Sequence, residues 1–132
     1  MEPKLLEAVQ KVRDNMPSVE KNAKGYNYKY TDLPHLWEAI EGVIKEAGFT
    51  VYNYCDGEYV VTTAIHAYGS VQSKLPISFA KSNSPQDLGG AITYFRRYNL
   101  LMLFNVMSED DDAAKSQVAS EKPAQEDEGF GI

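Results

Sequence analysis

The chain has 132 residues, 43% hydrophobic and 24% charged, with a formal net charge of −6, which is the composition of one water-soluble domain able to bury roughly two-thirds of its unfolded surface. No apolar run approaches the ~20 residues of a membrane span, and the start MEPKLLEAVQ is too charged for a secretory signal. One cysteine, Cys55, leaves no disulfide framework and no cysteine-built metal site, and fits a reducing cytoplasm.

The negative charge is unevenly spread. Residues 1–107 carry eleven Lys/Arg against eleven Asp/Glu, and residues 108–132 carry two lysines against eight acids. A neutral body with an acidic tail does not argue against nucleic acid, because local patches decide phosphate binding.

Residues 3–16 read as a first helix, with Leu5, Val9, Val12 and Met16 as a narrow apolar stripe and Pro17 as its stop. A polar, turn-rich stretch follows, in which Lys21, Lys24 and Lys29 are interleaved with Tyr26, Tyr28 and Tyr30. The period-two tyrosines predict a short strand with three rings on one face. It reads either as a basic, aromatic lip for nucleic acid or as an edge strand with solvated lysines. Thr31 or Asp32 caps a second helix that runs to about Ala47 and ends at Gly48; Leu33, Leu36, Trp37, Ile40, Val43 and Ile44 form its broad apolar face, with Trp37 assigned to the core. His35 and His66 lie on different elements with no third ligand at metal spacing.

Three strand-like runs come next: Phe49–Tyr54, Tyr59–Ala67 and Val71–Phe79, joined by turns at Asp56-Gly57 and Tyr68-Gly69-Ser70. Cys55 falls at the first turn. Pro76 marks the third strand as an edge or a bulge. The expected fold class is therefore α+β, a three-stranded antiparallel meander flanked by helices.

The stretch from Ser84 to Asp112 organises the rest. Ser84 is a good N-cap, Pro85 suits the first helical position and Asp87 is an acid in the first turn. Leu88, Ile92, Phe95, Met102 and Leu103 give an apolar face, and Gly89, Gly90 and Ala91 leave room for another backbone. The helix ends near Phe104-Asn105. Arg96 and Arg97, flanked by Tyr94 and Tyr98, combine phosphate neutralisation with base stacking; the competing reading is an exposed arginine pair on a core helix. Lys74 and Lys81 lead into this helix. Glu109–Asp112 read as a metal or partner site or as a solvated cap. Residues 113–132 have almost no large apolar residues and are expected to be a disordered tail after a core of residues 1–112. Its tip, with Asp127, Glu128, Phe130 and Ile132, suits docking into an apolar pocket ringed by basic residues, or serves as a solubilising end.

Taken together, Pro85, Gln86, Gly89, Ile92, Thr93, Tyr94, Arg96, Arg97, Tyr98 and Leu100, followed by the acids Glu109, Asp110, Asp111 and Asp112, resemble the signature of the ERF (essential recombination function) family of phage single-strand annealing proteins. Lys29-Tyr30-Thr31-Asp32-Leu33 and Lys45-Glu46-Ala47-Gly48-Phe49 resemble the family's upstream helix start and helix end, so the similarity covers about residues 20–112. Asn99 and Asn105 depart from it, standing where a small apolar residue and a glycine are usual.

The resemblance implies a β-β-β-α core like that of the eukaryotic ring-forming annealing proteins, a homo-oligomeric ring or filament, and single-stranded DNA (ssDNA) bound without sequence preference. Arg96 and Arg97, with Lys74, Lys81, Tyr94 and Tyr98, are expected to hold the backbone, and Lys24, Lys29 and Tyr30 to form a lip. The expected function is annealing in the cytoplasm of a bacterial host, without enzymatic turnover. No cofactor is required, with divalent metal at the acidic run left open. The alternative is an ssDNA-coating protein, or an adaptor whose acidic tip recruits a host SSB-type or replication protein or a phage exonuclease. A nuclease built on Asp110–Asp112 is disfavoured, since consecutive acids beside a disordered tail are a poor scaffold for two-metal chemistry. Truncation after Asp112 is expected to leave the fold intact and not to weaken ssDNA binding; a fall of many degrees in a melting scan contradicts the assignment of the tail.

Overall fold

The computed structural model describes residues 1–26 and 28–107. The acidic run, the tail with its apolar tip, and the expected boundary at residue 112 lie outside the described residues. In chain order the elements are α1 (Pro3–Asn15), β1 (Ala23–Gly25), β2 (Tyr28–Tyr30), α2 (Leu33–Glu46), β3 (Thr50–Cys55), β4 (Tyr59–His66), β5 (Gly69–Pro76), a 3-10 turn (Ile77–Phe79) and α3 (Pro85–Leu103). The expected α+β class is observed: three helices accompany an antiparallel sheet ordered β3-β4-β5, and β1 and β2 form a separate hairpin.

The helices begin and end where local chemistry directs. Ser84 accepts from the Asp87 N–H at 3.1 Å and Asp32 from the His35 N–H at 3.0 Å, each satisfying a first-turn donor. The two long helices stop alike. Gly48 at φ +92° lets its N–H reach Lys45 O at 2.9 Å and the Phe49 N–H reach Ile44 O at 3.2 Å. Asn105 at φ 52° does the same, its N–H reaching Met102 O at 3.3 Å and that of Val106 reaching Leu101 O at 2.9 Å. In both cases the reversal turns an apolar residue, Phe49 or Val106, back into the core.

That core joins Leu5, Ala8 and Val12 of α1 to Leu36, Ile40 and Ile44 of α2, with Phe49, Ala64, Leu100 and Phe104. Each fully buried leucine or isoleucine contributes about 2 kcal/mol by leaving water. A smaller cluster of Val60, Ala91 and Phe95 lies under the first half of α3, packed by Leu75, Ile77, Ala80 and Ile92. Helix α3 therefore spans both clusters and runs across one face of the sheet.

The details differ from expectation in several places. Tyr26, Tyr28 and Tyr30 do not share one strand: Gly25 lets the chain double back, since a Cβ there would collide with the Tyr28 ring, and Tyr26 is left exposed in the turn. Strand β5 stops at Pro76, the last ladder residue, opposite Tyr59, and the chain turns through Ile77–Phe79 instead of continuing as strand. Trp37 is half-buried rather than core, because Leu36, Ile40 and Ile44 already fill the buried stripe of α2. Gly89 and Gly90 are exposed with nothing within 4 Å of an added Cβ, so no backbone among the described residues approaches them.

The buried face of α3 also shifts. Ala91, Phe95, Asn99, Leu100 and Phe104 are buried, while Met102 is exposed. Asn99, with 0% exposure, donates through Nδ2 to Val60 O at 3.0 Å and accepts from Ser73 Oγ at 3.0 Å, tying α3 to β4 and β5. An amide here makes two buried hydrogen bonds, to the Val60 carbonyl and with the Ser73 hydroxyl, that an apolar side chain could not make. Asn99→Ala is expected to cost about 2 kcal/mol, within the range for a broken buried hydrogen-bond network; equal urea midpoints for variant and wild type would refute the assignment.

Candidate functional site

Three elements converge beside the adjacent arginines. The capped start of α2 presents Leu33, Pro34 and Trp37, the β3 edge presents Val51 and Asn53, and the middle of α3 presents Arg96 and Leu100; together they line a hollow of about 400 Å³. A second hollow of about 430 Å³ follows the β3 edge past Tyr52, Asn53, Tyr54 and Cys55 to Val60 and Ile92, and Arg96 lines this one too. Thr62 Oγ1 donates to Asn53 Oδ1, which fixes the rotation of that amide in the wall.

Arg96 is the charged residue common to both hollows, and no acid among the described residues lines either. Its Nε is buried and has no hydrogen-bond partner among the described residues. A guanidinium so placed, in a hollow that an indole also lines and that no described carboxylate lines, suits an anionic ligand that also carries flat apolar groups.

The neighbouring arginine does something else. Successive residues of an α-helix point about 100° apart, and Arg97 is turned towards the β1–β2 hairpin. It is 2% exposed, with its guanidinium 5.2 Å from the Tyr30 ring centroid and 4.7 Å from that of Tyr98. Arg97, Tyr30 and Tyr98, grouped by sequence reasoning with the DNA-contacting residues, thus form a buried cation–aromatic stack that holds the hairpin to α3.

The other expected residues are dispersed. Lys74 pairs with Val61 on the sheet face turned away from α3, and its Nζ lies 4.3 Å from the Tyr59 ring centroid. It lines neither of the two hollows that Arg96 lines. Lys81 is exposed in the loop before α3, Tyr94 is exposed on that helix, and Lys24 and Lys29 are exposed partners across the hairpin. Sequence reasoning missed Trp37 and Asn53 as groove walls and Tyr52 and Tyr54 at the rim. The FTVYNY alternation places Tyr52 and Tyr54 on one strand face but does not say which face stays open. His66 packs 5.1 Å from Phe49 and 5.7 Å from Tyr68, and its Nδ1 accepts the Tyr68 N–H at 3.2 Å. No group of three or more His, Cys, Asp or Glu among the described residues is placed to hold a metal, and none of the described helices is long and apolar enough to cross a membrane.

The two arginines are separable by experiment. Arg97→Ala is expected to destabilise the fold by about 1–3 kcal/mol, as removal of a buried, stacked group does, and Arg97→Lys not to restore it, since an ammonium lacks the planar stacking surface. Arg96→Ala is expected to leave the melting midpoint close to wild type; equal losses for both would contradict this division.

A family model described as the ERF superfamily matches residues 5–128. No curated protein and no solved structure matches the chain. The matched span takes in the sheet, α2, α3 and the Arg96 hollows. The chain belongs to the ERF superfamily and so, in broad terms, to the recombination and strand-annealing proteins of the phage type.

Proposed function

We propose that this protein binds ssDNA along its phosphate backbone and, as an oligomer, anneals complementary strands without making or breaking a covalent bond. The observation that carries the reading is that Arg96 and Trp37 line one hollow in which no acid among the described residues takes part. The guanidinium meets a phosphate in bidentate fashion, and the indole with Leu33 and Pro34 gives the sugar or base an apolar wall. Lys24, Lys29, Lys74, Lys81 and Tyr94 extend the contact surface outside the groove.

One such groove on a neutral body binds weakly. Repetition around an assembly converts weak contacts into avidity. Two features favour assembly: β3 and β5 are sheet edges with no further strand beside them among the described residues, and Gly89 and Gly90 leave a close-approach surface open on α3. Annealing itself draws on base stacking, on the order of 1.4 kcal/mol per step once pairing starts. The protein's part is to relieve phosphate repulsion and keep the strand extended, and no cofactor enters this scheme.

Purified protein is expected to retard an oligonucleotide at low salt and to accelerate pairing of complementary strands over the spontaneous rate. Slowed pairing would instead mark a coating protein, and absence of any retardation would end the reading. Arg96→Ala is expected to weaken binding and to flatten the slope of log K against log salt by about 0.7, the increment for one phosphate of a single strand. An unchanged slope would remove Arg96 from the contact.

A further inference from the structure

We propose that Tyr52 and Tyr54 form a base-stacking platform on the open face of the β3-β4-β5 sheet, continuous with the Arg96 groove, so that a strand held there by its phosphates lays its bases over the β3 edge. This rests on the reading of the groove as an ssDNA site and names the part that would read the bases.

The ladder register shows which face is open. Cross-strand partners share a face, and Val60 and Ser73 point towards α3, where the first packs against Ala91 and Phe95 and the second bonds Asn99. Tyr52, paired with Thr63, and Tyr54, paired with Val61, therefore point the opposite way, as do Tyr59 and Lys74. Among the described residues, helix α3 packs against β4 and β5, and it lies on the other side.

Tyr52 and Tyr54 stay 47% and 43% exposed, although a flat apolar ring gains by burial. Their centroids are 6.0 Å apart with planes inclined by 33°, side by side rather than stacked on one another. That spacing is near twice the roughly 3.4 Å rise of stacked bases, so the pair suits a strand drawn out of its own stack.

Charge selects the occupant. The outward positions of the three strands include no aspartate or glutamate, and they include Lys74. Two acids flank this face at the β3–β4 turn: Glu58, exposed, directly before Tyr59, and Asp56, which is tied into the turn by the N–H groups of Glu58 at 3.0 Å and Tyr59 at 2.8 Å. Tyr52 and Tyr54 also line the same hollow as Arg96. One strand therefore meets a cation in the groove and two rings around the edge. Stacking uses the faces of the bases and leaves their pairing edges outward, as a search for a complementary strand requires.

The test compares an oligothymidylate with an abasic oligonucleotide of equal length, by fluorescence anisotropy at several salt concentrations. Wild type is expected to prefer the base-bearing strand by on the order of tenfold or more. Tyr52→Ala with Tyr54→Ala is expected to lose that preference while keeping the salt slope, and Tyr52→Phe with Tyr54→Phe to retain it. A preference that survives in the alanine variant, or a phenylalanine variant that behaves like it, overturns the platform. Arg96→Ala serves as the separate arm: it should weaken both oligonucleotides alike and flatten the slope. If Arg96→Ala changes nothing while the tyrosine results hold, the groove reading falls and the platform stands. If wild type binds neither oligonucleotide, both fall.

Discussion

A guanidinium removed from water is tolerated only where its charge meets compensating groups, and Arg97 meets them in the rings of Tyr30 and Tyr98. The stack fixes α3 on its hairpin side while the bonds from Asn99 to Val60 and Ser73 fix it on its sheet side. Held from two directions, the helix cannot roll. With Arg97 turned inward, helical geometry carries Arg96 to the α2 and β3 side, where it lines a hollow together with Trp37. One arginine orders the scaffold and the other is presented by it.

The same division runs through the sheet. Its inner face belongs to the fold: Val60 packs beneath Ala91 and Phe95, and Thr62 and Ser73 spend their hydroxyls on Asn53 and Asn99. Its outer face carries Tyr52, Tyr54 and Lys74, which stay exposed among the described residues. Because side chains alternate strictly along a strand, one run of residues serves stability and surface chemistry together. The β3 edge is the place where the two meet, and both hollows border it. A neutral body can be a nucleic-acid protein under this arrangement, since its cations need only be clear of carboxylates locally.

Much was legible from local order. The caps at Ser84 and Asp32, the left-handed ends at Gly48 and Asn105 and the meander punctuated by Asp56-Gly57 and Tyr68-Gly69 all depend on neighbours within a few residues, and all are present. The Thr-Tyr-x-Arg-Arg-Tyr run and its surroundings also carried the family, which the match over residues 5–128 establishes. Apolar periodicity on α3 was less reliable. It counted Met102 and overlooked Asn99, because a buried amide with two partners has no signature until those partners, at Val60 and Ser73, are known.

The candidate site followed the same rule. The chain by itself determined that an arginine pair flanked by tyrosines would sit in the middle of a helix after a small sheet. Which arginine faces outward, that Lys74 lies on the opposite side of the sheet from α3, and that Trp37 walls a groove were decided only by tertiary structure. The reason is physical. Caps and turns are settled by bonds between near neighbours in sequence, whereas exposure and the company a side chain keeps depend on elements brought together from far apart, here α2, β3 and α3.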